Sequence, residues 1–160
     1  MPFVGPSGQL LDKALRAAGF DPASHCYVTN VVKRRPPNNR NPTPEEVAFF
    51  LPFVQEELRL VDPWVVLVMG GVAARALLPE AVTRSGTSGR DLPLRAFRGQ
   101  WQQLSLWPGG AEVPTLVSYH PSYVLRNPQR GPDSPARKVW DDIREVRRAV
   151  DERARLEGLT

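Results

Sequence analysis

The chain has 160 residues, 41% of them apolar, which is enough for one domain around a single core and too apolar for a disordered segment. The net charge of +4 comes from 21 cations against 17 acids, and all the cations but Lys13, Lys33 and Lys138 are arginine. No apolar run approaches the roughly 20 residues of a membrane helix, and the single cysteine, Cys26, excludes an intrachain disulfide and an all-cysteine metal centre.

The opening residues lack the basic-then-apolar order of a secretory signal. We therefore expect a cytoplasmic, monomeric protein with one domain over residues 1–160, no bound metal and no membrane contact. Its cationic excess favours a polyanionic partner.

Gly5-Pro6-Ser7-Gly8 reads as a turn feeding a helix, with Ser7 as N-cap, Leu11, Leu15 and Ala18 on one face, and Gly19 at C′. Residues 26–32 (CYVTNVV) are β-branched and aromatic and predict a buried strand. Residues 33–42 (KRRPPNNRNP) hold four cations and no acid, an exposed basic loop. Thr43 then caps a helix with Pro44 at N1 and Glu46 at N3, a capping box. That helix runs to about Leu60, with a kink or break expected at Pro52.

Residues 64–69 are continuously apolar, as a central parallel strand requires. Gly70-Gly71 turns into a short helix over 72–78, and residues 83–99 read as a basic loop. Strands are predicted over 103–107 and 115–118, separated by the turn Pro108-Gly109-Gly110. The second runs directly into Tyr119-His120-Pro121-Ser122. A last helix, about 135–155, buries Val139, Ile143, Val146 and Val150 and is otherwise solvated. Strands alternating with helices predict an α/β fold with a largely parallel sheet, whose functional groups gather at the strands' carboxyl ends. Asn30, Gly70-Gly71 and His120 fall at or just beyond such ends.

Two readings stand for each polar candidate. Asn30 either satisfies a loop backbone or reads the ring N–H and carbonyl of a planar heterocycle. His120 is either structural or a donor to an oxygen that gains negative charge during reaction. Lys33, Arg34, Arg35 and Arg40 are either solvated or held against phosphates. The turn before the first helix offers backbone N–H groups to an anion. Gly70-Gly71 lacks the spacing of a dinucleotide site.

Taken together, the segments resemble the family 4 uracil-DNA glycosylases, a group that carries an iron–sulfur cluster. Residues 2–11 (PFVGPSGQLL) look like the family's first turn and helix, and residues 27–33 (YVTNVVK) with Arg35-Pro36-Pro37 resemble its strand and loop. Leu67-Val68-Met69-Gly70 is similar to its central strand. Residues 119–126 (YHPSYVLR) look like its histidine motif, and Trp140-Asp141-Asp142 resembles its closing helix. The resemblance implies a three-layer domain with a four-stranded, largely parallel sheet between helices. It implies flipping of uracil out of DNA and hydrolysis of the N-glycosidic bond. By motif position, Phe3 stacks on the base, Asn30 reads its edge and excludes cytosine, and His120 bonds the other carbonyl. Gly5, Ser7, Ser122 and the loop Lys33, Arg34 and Arg35 hold phosphates, and residues Tyr123 to Arg126 press into the duplex.

The chain departs from the family's pattern twice. Arg34 and Phe50 stand at two positions that the resemblance assigns to cluster cysteines, so no iron–sulfur cluster is expected, and Phe49, Phe50 and Phe53 are expected to fill its space. The family also has an earlier strand ending in a GEAPG-like loop that positions the attacking water, and the chain begins after it. The resemblance thus implies a missing first strand inside the sheet and slow or absent catalysis. The competing expectation is a non-catalytic, DNA- or uracil-binding relative of the same fold; a small-nucleotide hydrolase is a third.

Overall fold

The computed structural model describes residues 5–84, 94–106 and 110–159. Helix α1 (Pro6–Ala17) begins two residues sooner than expected, with Gly5 at the cap position and Ser7 inside the first turn. Proline outcompetes serine as the start signal because its missing N–H costs nothing at N1. The far end matches its prediction. Gly19 has φ of +87°, and the N–H groups of Gly19 and Phe20 donate to the carbonyls of Arg16 and Leu15, which closes a Schellman motif.

A one-turn helix, α2 (Pro22–His25), follows under an Asp21 cap. The strand predicted over residues 26–32 does not form, for these residues join no ladder and Tyr27 is 58% exposed. β-branched composition makes a strand only where a neighbour takes up its backbone N–H and C=O groups. This stretch lines a cavity instead. The basic loop holds one 3-10 turn, Pro37–Asn39, with Asn38 and Asn39 both left-handed, a conformation that asparagine tolerates well.

Helix α3 (Pro44–Val61) carries the expected capping box: Glu46 N–H donates to Thr43 Oγ1 at 3.2 Å, and Thr43 N–H to Glu46 Oε2 at 2.8 Å. Pro52 does not interrupt it. Pro52 and Ala48 are both exposed, so the carbonyl that loses its helical partner faces water.

Strand β1 (Val66–Met69) leads through Gly70 into α4 (Gly71–Leu77). The stretch read as a basic loop is helical at both ends, as α5 (Pro79–Arg84) and α6 (Leu94–Phe97), with residues 85–93 outside those described. Strand β2 (Trp101–Ser105) starts two residues sooner than expected, and the predicted turn at residues 108–110 lies mostly outside the described residues. Strand β3 (Glu112–Ser118) leads through His120 into α7 (Pro121–Arg126), a helix the sequence reading missed. Helix α8 (Pro135–Leu156) closes the fold.

The sheet has the order β1-β3-β2, with β1 parallel and β2 antiparallel to β3. On one face Val68 and Val117 pack with Leu78 and Val82; on the other Leu116 packs with Leu11, Leu15 and Ile143. Leu116 and Ile143 are fully buried, each contributing about 1.5–3 kcal/mol. The predicted α/β architecture, a sheet between helices, is therefore what forms.

β1 bonds to β3 along one edge. Against it lies a cavity of about 1820 Å³, walled by residues 26–33, by Val54 and Leu58 of α3, and by Leu15, Ile143 and Val146 of α1 and α8. No helix among the described residues is long and apolar enough to cross a membrane.

Candidate functional site

Because β1 and β3 run parallel, their carboxyl ends lie side by side, and the turns beyond them bring Gly70 and His120 together. Gly70 N–H donates to the Ser118 carbonyl at 2.9 Å. Gly70 has φ of +94°, and a Cβ there would lie 3.0 Å from the Cβ of His120. Glycine alone meets both the backbone conformation and the close approach without strain.

His120 is the N-cap of α7. Its Nδ1 accepts from Ser122 N–H at 3.1 Å and lies 2.8 Å from Ser122 Oγ. An Nδ1 that accepts a backbone N–H carries no proton, which leaves the neutral ring's proton on Nε2. Burial pushes the His120 pKa below its ordinary value, and the nearby Arg126 cation lowers it further. The ring is thus an uncharged donor at the end of a parallel strand, along the cavity wall.

Asn30 lies along the same cavity, exposed and outside any strand, not buried as expected. Its segment is tied to α3: Thr29 Oγ1 donates to Glu57 at 3.0 Å, and Lys33 Nζ donates to Thr29 Oγ1 at 2.7 Å and to Glu57. Phe3, the expected stacking partner, lies outside the described residues.

The basic loop is less free than a stretch without acids implies. Lys33 is ion-paired with Glu57, and Arg40 forms a bidentate pair with Glu46 at 2.7 and 2.8 Å. Both acids come from α3, beyond the loop itself. Arg35 Nε donates to Asn39 Oδ1 at 2.6 Å and lines the cavity; Arg34 is exposed and away from it. α1 packs on α7, which sets Gly5 and Ser7 on the same cavity as Ser122, Tyr123 and Arg126. The Tyr123 ring lies 5.0 Å from that of Tyr119.

Sequence reasoning missed one buried group, Asp142. The last helix was expected to be solvated apart from four aliphatic residues, yet Asp142 is 3% exposed and accepts from Ser118 and Arg98. Burial pushes its pKa up, and the bonds from Ser118 and Arg98 oppose that shift. The signal was present: three residues after Val139 and four before Val146, Asp142 falls on the apolar face.

Among the described residues, Asp151 is the one carboxylate along the cavity, and it is ion-paired with Arg147 at 2.8 Å. No group of three or more His, Cys, Asp or Glu side chains among them could hold a metal ion.

The structure thus brings the Asn30 carboxamide and the neutral His120 imidazole, with the Arg35 and Arg126 cations, onto one cavity of a layered α/β domain. The sequence profile described as the Uracil DNA glycosylase superfamily matches residues 1–144, and the chain belongs to that superfamily. It is 36% identical over 127 residues to a Type-4 uracil-DNA glycosylase of Pyrobaculum aerophilum, covering 79% of this chain and 60% of that one. Identity to the Type-4 uracil-DNA glycosylase of Thermotoga maritima is 36% over 126 residues, 79% of this chain and 58% of that one. For that of Archaeoglobus fulgidus it is 35% over 128 residues, 80% of this chain and 60% of the relative. The chain thus spans about 60% of the length of these relatives.

Proposed function

We propose that this chain acts on DNA as a repair N-glycosylase, turning a uracil out of the strand and hydrolysing its N-glycosidic bond slowly. The observation that carries the reading is the His120 imidazole, kept neutral by burial and the Arg126 cation and held by the Ser122 N–H with its proton on Nε2, on the cavity that Asn30 also lines.

The bond between the sugar C1′ and the base nitrogen breaks, and its electron pair moves into the ring and onto a carbonyl oxygen. Nε2–H of His120 donates to that oxygen as its charge grows. A preorganised donor of this kind is worth about 2.7–4 kcal/mol of barrier. The Asn30 carboxamide accepts from the ring N–H and donates to the adjacent carbonyl, an order of donors and acceptors that cytosine reverses. Water adds to C1′ and releases a proton to solvent. Phe3 stacks on the base; Gly5, Ser7, Ser122 and the Lys33–Arg35 loop contact phosphates; Tyr123 and Arg126 fill the duplex where the base left.

The reading includes no iron–sulfur cluster. Two positions that the family's pattern gives to cysteine hold Arg34 and Phe50, and one cysteine, Cys26, is present in the chain. The donor set does not fit four thiolates. The Phe49 and Phe50 rings pack edge-on at 5.0 Å, with Phe53 tilted against Phe49 at 6.1 Å, although Phe49 and Phe53 stay largely exposed. Stoichiometric iron in the purified protein would overturn this.

A second reading, binding without hydrolysis, draws support from one observation: the described cavity wall offers no carboxylate besides the ion-paired Asp151 to activate water. A uracil-containing oligonucleotide, incubated with the protein and then cleaved by alkali at abasic sites, separates the two. Strand scission selects the glycosylase; retained uracil DNA without scission selects the binder.

A further inference from the structure

We propose that Asp142 is a positioning residue for His120, acting through Ser118 and Arg98. The inference rests on the glycosylase reading, in which His120 donates to the leaving base.

A carboxylate on the buried face of α8 is costly unless each oxygen is paired. Both are. Oδ2 accepts from Ser118 Oγ at 2.6 Å and from Arg98 Nε at 3.2 Å, and Oδ1 accepts from Arg98 Nη2 at 2.9 Å. Each of these partners grips the end of β3. Ser118 is fully buried, the last residue of the strand, and two positions from His120. Its carbonyl accepts from Gly70 N–H, the residue whose Cα faces the His120 side chain. The Arg98 guanidinium lies 5.9 Å from the centre of the Tyr119 ring, and Tyr119 is the one residue between Ser118 and His120. The next residue, Gly99, donates its N–H to the Val117 carbonyl at 2.8 Å.

Residues 117, 118 and 119 are thus clamped in succession, and two of the three clamps meet at the Asp142 carboxylate. An apolar residue of similar volume would fill the site at lower desolvation cost. It would leave the Ser118 hydroxyl and the Arg98 fork without an acceptor, and the point where strand turns to helix would lose its fixed register. A general base or donor displaced by about 1 Å loses on the order of a hundredfold in rate, so a clamp at this point governs the depth at which the imidazole meets the base.

The test compares Ser118→Ala, which removes one hydroxyl, with Asp142→Asn, which keeps the shape and removes the charge. Each is examined by cooperative thermal unfolding, by the ring ¹⁵N resonances of His120, and by single-turnover uracil release alongside affinity for uracil-containing DNA. In folded variants the His120 ring resonances shift away from the pure Nε2–H tautomer. Uracil release slows by about ten- to a hundredfold while DNA affinity is retained. If Asp142→Asn fails to fold, Ser118→Ala decides. Folded variants with unaltered His120 resonances overturn the inference. Absence of uracil release from the unaltered protein would count against the glycosylase reading instead, and the resonances still decide the positioning role.

Discussion

Gly70 and His120 occupy space that cannot be shared with a side chain: a Cβ on Gly70 would come 3.0 Å from the Cβ of His120, at a residue whose φ is +94°. Gly70→Ala therefore strains the backbone and pushes the imidazole out of place together. We expect a stability loss of about 1–3 kcal/mol, read by denaturant unfolding, and a shift of the His120 ring resonances. A variant as stable as the parent, with those resonances unmoved, would show that this contact constrains nothing.

The pH response of His120 follows from its surroundings. Burial and Arg126 lower its pKa from the ordinary 6.5, so the unfolded chain binds a proton at this site before the folded chain does. Stability from this group is present above pH 6.5 and is lost as pH falls from there through the folded value. Protonation would also set an Nδ1–H against the Ser122 N–H. The NMR titration midpoint of His120 is expected below 6.5, with the acid limb of uracil release following it. A midpoint at or above that value would contradict the neutral donor.

Base selectivity rests on Asn30. Asn30→Asp exchanges a carboxamide that both donates and accepts for a group that accepts alone when ionised. The expected outcome is relaxed discrimination against cytosine in paired uracil and cytosine oligonucleotides. An unchanged preference would remove Asn30 from the recognition role.

The start of α3 makes a separate prediction, independent of function. Arg40, first, and the Thr43 N–H hold the Glu46 carboxyl at about 2, well under its ordinary 4.5. These contacts stabilise the fold fully above pH 4.5, and their contribution is lost as pH falls through about 2. Arg40→Ala should raise the Glu46 pKa, seen in its carboxyl ¹³C titration. Thr43→Ala should cost about 0.5–2 kcal/mol, measured by thermal unfolding.

Local signals carried most of the fold. The capping box at Thr43, the glycine at the end of α1 and the aliphatic spacing of α8 are each decided within a few residues and formed where they were expected, and the apolar run of residues 64–69 made β1 from Val66 onward. What misled were features decided by distant partners. Residues 26–32 have a strand's composition, but among the described residues no neighbouring strand takes up their hydrogen bonds. The loop at residues 33–42 contains no acid, yet Glu57, 24 residues from Lys33, and Glu46, six from Arg40, supply two. Pro52 spared its helix because solvent meets the orphaned carbonyl. In the candidate site, His120 and Gly70 were legible from their places after apolar strands. Asp142 passed as one more charge on a solvated helix, because its reason for being buried lies in Ser118 and Arg98.

The most direct test of the glycosylase reading is single-turnover release of uracil from a uracil-containing oligonucleotide by this chain and by His120→Ala, with a cytosine oligonucleotide as control. We predict slow release from uracil DNA alone, falling by about a hundred- to a thousandfold without the imidazole. Release that is indifferent to His120, or a protein that neither releases uracil nor prefers DNA containing it, would contradict the account.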